Sequence, residues 1–199
     1  MCGCILIEQT TNLYTCIGAG CGLTSIVLGK LCGCGVLAVD KSSVMQLLTD
    51  NIQSNCVVTA TNENEIVKTR CFDWITAVDA SQESIRQALQ WSECASSSHH
   101  TTNYHFPTMI VLSDCFYQFD AVEPILKILD VMAGDSTFVL VANELRTAFD
   151  EFLNKLRNQE REWKFEVSEP ILCCLLDCCC LIKLCPMSIL FIGNFTYRK

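Results

Sequence analysis

Leu13-Tyr14-Thr15-Cys16-Ile17-Gly18-Ala19-Gly20-Cys21-Gly22-Leu23 is the stretch that decides the fold. Leu13 to Ile17 reads as a short buried strand that ends at the glycines. Leu23 to Leu31 then carries Leu23, Ile26, Val27 and Leu31 at helical spacing. A glycine cluster between a strand and a helix lets the backbone come close to a ligand. The next apolar strand, Gly35 to Val39, stops at Asp40. A carboxylate about 20 positions beyond such a cluster can reach ribose hydroxyls. Together, the glycines and Asp40 point to an adenosine-containing ligand.

Outward from this unit, strands and helices keep alternating. Ser42 or Ser43 is expected to cap a helix with Val44, Leu47, Leu48 and Ile52 on one face, ending near Asn55. A strand at about Ile66 to Phe72 leads to Asp73-Trp74, and Ser81 to Trp91 reads as a helix. Thr108 to Leu112 is a fully apolar strand with Ser113-Asp114 at its end, followed by an amphipathic helix over Val122 to Met132. Thr137 to Ala142 is a further buried strand, Glu144 to Arg161 a long helix, and Trp163 to Val167 alternates like a strand. This order predicts one domain over residues 1–199, with a mostly parallel sheet wrapped on both faces by helices. Ligands of such sheets lie beyond the carboxyl ends of the strands. Gly18, Asp40, Asp73, Asp114 and Asn143 all fall there.

Half of the 199 residues are hydrophobic and 18% are charged, which is a globular composition. With a net charge of −8 and 14 scattered Lys and Arg, nucleic acid is not the expected partner. The 16 cysteines come without an export signal at the N-terminus, so reduced thiols in the cytoplasm are expected rather than a disulfide framework. No metal site is expected. Cys94 with His99, His100 and His105 could make one, but Ser96 to Asn103 reads more simply as a polar loop. Ile171 to Ile192 is apolar, cysteine-rich and long enough to span a bilayer. Asp177, Lys183 and Pro186 argue instead for final strands, with Ile189 to Tyr197 returning to the sheet, so membrane attachment is not expected.

The glycine pattern narrows the cofactor. The nicotinamide fingerprint needs Gly or Ala where Leu23 or Ser25 stands, and there is no phosphate loop ending in Gly-Lys-Ser/Thr. Gly-x-Gly-x-Gly followed by Asp40 suits S-adenosyl-L-methionine better, since that ligand has no pyrophosphate. Trp74 stands where it could flank the adenine; alternatively, it is an ordinary core aromatic. Asp40 and Asp114 have a plainer reading as helix-start carboxylates, and Tyr117 as a packing residue.

Thr15 to Leu23 resembles the LELGAGTGL segment of the seven-β-strand methyltransferases. Val39-Asp40, with Leu47-Leu48, Asn51 and Asn55, resembles their TD…LL…N…N segment, and Asp73-Trp74 their third-strand DW. Ser113-Asp114-Cys115-Phe116-Tyr117, then Glu123 to Lys127 and Glu144-x-Arg146, is similar to the DxxY branch. That branch holds protein-lysine methyltransferases, among them the enzyme for valosin-containing protein. The likeness covers about residues 13–168. It implies an α/β, Rossmann-like, seven-stranded, mostly parallel sheet and methyl transfer from S-adenosyl-L-methionine to a protein lysine. It further implies that Gly18, Ala19 and Gly20 line the methionine part of the cofactor, that Asp40 binds the ribose, and that Trp74 and Asp73 flank the adenine. Ser113 would lie beside the cofactor, while Asp114 and Tyr117 would be catalytic. The implied partner is a protein such as a chaperone-like ATPase or an elongation factor, met by a cytoplasmic monomer. Cys16 replaces the family's usual acidic residue, and the chain starts only some dozen residues before the glycines. These departures motivate a second reading, a degenerate methyltransferase fold acting as a non-catalytic binding scaffold.

Overall fold

Strict alternation along the central strands builds the two sides of the sheet. In β2 (Gly35–Asp40), Leu37 and Val39 join one buried cluster, and Val36 and Ala38 join another. Successive strand residues point to opposite faces, so each cluster is one side of the sheet. β1 (Leu13–Ile17) does the same with Ile17 and Cys16, and β4 (Met109–Ser113) with Ile110 and Val111. A fully buried parallel strand has to be apolar on both faces, and the buried positions of these strands are, apart from Thr15 in β1. The computed structural model describes residues 13–32, 34–56, 66–91, 106–144, 146–158, 162–168 and 187–196.

β1, β2, β3 (Val67–Cys71), β4 and β5 (Phe138–Glu144) pair in parallel in the order β3-β2-β1-β4-β5. The order reverses between β1 and β4, so their carboxyl ends flank the crevice in which such sheets place ligands. Beyond β5 come β7 (Met187–Thr196) and then β6 (Glu162–Ser168), paired antiparallel.

α1 (Leu23–Cys32) and α2 (Ser42–Asn55) cover one side of the sheet. α3 (Gln82–Leu89), α4 (Val122–Met132) and α5 (Thr147–Arg157) cover the other. The larger core lies on this second side, where the rings of Phe116 and Phe152 are 4.2 Å apart and Phe149 joins them.

Several expectations need correction. α1 forms where it was predicted, but Leu23, Val27 and Leu31 are exposed, and its buried face is Ser25, Ile26 and Gly29. Gly29 lies so close to β3 that a Cβ there would stand 2.7 Å from Val67 Cγ2. Ser25 and Gly29 bring the helix down onto the sheet beside Ile26, and Leu23, Val27 and Leu31 are left outside. Leu47 of α2 is likewise exposed, leaving Leu48 and Ile52 as the anchors. Lys41 occupies the N-cap position of α2 without a side-chain bond, so neither Ser42 nor Ser43 caps it. Ser81 does cap α3, accepting from Ser84 N. Cys94, His99, His100 and His105 lie outside the described residues, as does most of the cysteine-rich stretch Ile171 to Ile192. Among the described residues, no group of three or more metal-binding side chains assembles, and no helix is long and apolar enough to cross a membrane.

Candidate active site

The glycine turn after β1 is laced to the end of β2. Gly18 N and Ala19 N both donate to Val39 O, at 2.9 and 3.0 Å. The Asp40 carboxylate accepts from Gly20 N through Oδ2 and from Lys41 N through Oδ1, each at 2.7 Å. Asp40 therefore faces the turn and does not cap α2. Asn51 Nδ2 donates to Cys21 O at 2.8 Å, tying α2 to the same turn.

Gly18 and Gly20 both adopt left-handed backbone, with φ of 69° and 57°. Their surroundings differ. A Cβ on Gly18 would lie 2.4 Å from the Trp74 ring, whereas a Cβ on Gly20 would meet nothing within 4 Å. Trp74 thus packs over Gly18 while Gly20 leaves the turn open. The indole is partly buried against the larger core, and it also lines the cleft described below. Asp73 caps the short 3-10 turn Trp74–Val78, its Oδ1 accepting from Ile75 N at 3.1 Å.

The opposite wall is the segment after β4. Asp114 has φ 51°, the one non-glycine residue with positive φ among those described. Its N–H donates to Ala142 O at 2.7 Å, and two residues on, Phe116 N donates to Asn143 Oδ1 at 3.0 Å. Asn143 is buried and donates from Nδ2 to Glu144 O. Asp114 caps no helix; Ala121 stands at the N-cap of α4. The Tyr117 side chain is 46% exposed, so it is not a core packing residue. The Arg146 guanidinium, gripping Glu144, lies 3.8 Å from Asp114 Oδ2.

These walls enclose a cleft of about 600 Å³. Gly18, Gly20, Asp40, Asp73, Trp74, Ser113, Asp114 and Tyr117 all line it, and Ala19 lines an adjoining lobe of about 250 Å³ with Gly18, Gly20 and Ser113. The sequence reading singled out each of these residues, and the structure brings them to one place. It missed Lys41, Val44, Phe72, Ile75, Gln118 and Asp120, which also line the cleft. Each of these neighbours a predicted residue along the chain or follows it within a short turn, and adjacency to a strand end was the available signal. The lining charges are Asp40, Asp73, Asp114 and Asp120 against Lys41, so the cleft favours cations.

Two thiols lie at the base of the site. Burial pushes the Cys115 thiol up to about 12 and the Cys16 thiol up to about 11. Both stay protonated near neutrality and are not nucleophiles. Cys115 Sγ donates to Ile17 O at 3.3 Å, joining β4 to β1 beneath the turn.

A family model described as lysine methyltransferase matches residues 9–85 and 76–159. The chain belongs to this family. No curated protein sequence matches it. Among solved structures, precorrin-6y C5,15-methyltransferase from Geobacter metallireducens is similar over 95% of this chain and 83% of its own, with 11% identity and a TM-score of 0.57. The human methyltransferase 10 domain containing protein covers 95% and 74%, with 12% identity and a TM-score of 0.58. The N-terminal domain of human METTL16, solved in complex with SAH, covers 94% and 62%, with 12% identity and a TM-score of 0.57. At such identities the likeness is one of fold, the α/β Rossmann-like methyltransferase fold.

Family membership sets S-adenosyl-L-methionine as the cofactor, and the methyltransferase cleft fits it. The volume is in the range of small-ligand pockets. Gly20 presents bare backbone to open space, and each Asp40 oxygen keeps a lone pair beyond its backbone bond.

Proposed function

We propose that this chain transfers a methyl group to a lysine side chain of a protein. The observation that carries the reading is Asp114. It is held in left-handed backbone at the end of β4, spends its carboxylate on no helix cap, and stands half exposed on the cleft wall. A strained conformation at such a place is a mark of function.

The bound cofactor supplies an electrophilic methyl on a sulfonium. Asp40 would accept hydrogen bonds from ribose hydroxyls, Trp74 and Asp73 would flank the adenine, and Ser113 would lie alongside. Gly18, Ala19 and Gly20 would line the methionine end. A lysine amine has an ordinary pKa of about 10.4 and must lose its proton before its lone pair can attack. Asp114 would accept a hydrogen bond from that amine and so orient it. Tyr117 would add an aromatic wall, which favours a cationic product. Positioning of two bound reactants would supply most of the acceleration. The acidic lining supports an amine over a polyanion such as RNA as the acceptor.

With this reading go a complete seven-stranded sheet of the DxxY branch and a cytoplasmic, monomeric enzyme. Its target would be a protein such as a chaperone-like ATPase or an elongation factor. One observation favours the scaffold alternative: Cys16 puts a neutral thiol, not a carboxylate, in the lobe beside the glycine turn. The test is radiolabelled methyl transfer to lysate proteins, followed by amino-acid analysis. Label on lysine supports the proposal; label on histidine or arginine rejects it.

A further inference from the structure

We propose that Arg146, locked by Glu144, is a positioning residue for the reaction: it holds the Asp114 carboxylate in the orientation that meets the substrate amine. The inference rests on the reading of Asp114 given above. Arg146 is the residue just ahead of α5, two positions past the end of β5. Its Nε and Nη2 both donate to Glu144 Oε2, at 2.8 and 2.5 Å. A two-point grip of this kind fixes the plane of the guanidinium. The same Nη2 stands 3.8 Å from Asp114 Oδ2.

The arrangement is poorly suited to stabilising the fold. The side chains of Arg146, Glu144 and Asp114 are 35%, 35% and 50% exposed. Ion pairs so open to water contribute about 0–1 kcal/mol. Direction is what they can supply. The Asp114 backbone is fixed already, by its N–H on Ala142 O and by Phe116 N on Asn143 Oδ1. The carboxylate torsion is the freedom that remains, and the Arg146 charge bears on it from the β5 side. Across the cleft stand Asp40 and Asp73, whose like charges push the carboxylate away, with Lys41 beside Asp40. Attraction to Arg146 and repulsion from Asp40 and Asp73 thus act in the same direction and hold the Asp114 carboxylate on the β5 side of the cleft. Glu144 fixes Arg146 and acts on Asp114 through it.

The test compares wild type with Arg146→Gln, Glu144→Gln and the double variant. It measures the initial rate of lysine labelling in lysate protein, the Kd for S-adenosylhomocysteine by calorimetry, and Tm. A misplaced reacting group slows transfer by about 10- to 100-fold. Arg146→Gln should lose that much rate while cofactor Kd and Tm stay near wild type. The double variant should be no slower than Arg146→Gln alone. Arg146→Lys keeps the charge without the fork and should recover part of the rate. The inference is overturned alone if lysine is labelled and Arg146→Gln is as fast as wild type. It is equally overturned if the two single losses multiply in the double variant, or if the lost rate is matched by weakened cofactor binding or a collapsed Tm. If wild type labels no lysine, the reading of Asp114 falls first and the inference with it.

Discussion

Gly18 and Gly20 stand two positions apart and are required for different physical reasons. Both need left-handed backbone, which costs a side-chain-bearing residue about 1–2 kcal/mol. At Gly18 the added Cβ also collides with the Trp74 ring. Gly18→Ala should therefore lower Tm clearly. Gly20→Ala should lower it less, because its Cβ meets open space, and should lose cofactor affinity because that space is the cleft. Melting curves and calorimetry on the two variants separate the roles; equal effects on both would contradict the assignment. Asp114→Ala should abolish methyl transfer while Tm stays within a few degrees, checked by radiolabel and melting together. At this scale the sequence marked out carboxylates at strand ends, and the structure decides what they bind. Asp40 and Asp114 invite a capping explanation, and neither caps a helix. For Lys41 and Gln118 the one signal was adjacency to Asp40 and Tyr117, because an exposed polar residue looks the same whether or not a cleft adjoins it.

Among the elements, period decided which segments form and tertiary contact decided which way they face. α4 has the bounds read from its apolar spacing, Val122–Met132, since nearly every turn of it is buried and the whole pattern points inward. α1 misled for the opposite reason. Its leucines fall at helical spacing, but the sheet needs Gly29 at the contact, a requirement invisible until β3 is placed beneath it. Gly29→Leu should thus cost about 1–3 kcal/mol by overpacking against Val67. Leu31→Lys, at a position 80% exposed, should change stability by no more than about 0.5 kcal/mol. Denaturant unfolding measures both, and the reverse ranking would show that α1 packs on its other face. On the far side, Phe152→Ala should cost about 3–5 kcal/mol, because it removes one of the three buried rings of the Phe116–Phe149–Phe152 group.

For the whole molecule, the order β3-β2-β1-β4-β5 converts scattered strand ends into one cleft. That step was legible because β-α alternation and right-handed crossovers leave few other arrangements. What alternation alone could not give is the charge of the cleft, which depends on which loops meet over the crevice. Free thiols are graded by the same architecture. Cys21, Cys32 and Cys71 are exposed, and Cys16 and Cys115 are buried with raised pKa values. Brief alkylation of native protein near pH 8 should label the first group and spare the second, as read by mass spectrometry. Burial favours the neutral thiols, so their stabilisation is full below the ordinary thiol pKa of about 8.5 and declines as pH rises toward 11–12. Stability should fall over that alkaline window.

Every mechanistic statement passes through the meeting of the glycine turn and Asp40. The most direct measurement is calorimetric titration of the wild-type chain and Asp40→Ala with S-adenosylhomocysteine. Micromolar binding by the wild type that weakens at least about tenfold in the variant, some 1.4 kcal/mol, is the predicted result. A wild-type chain that releases no heat, or a variant that binds equally well, would contradict it.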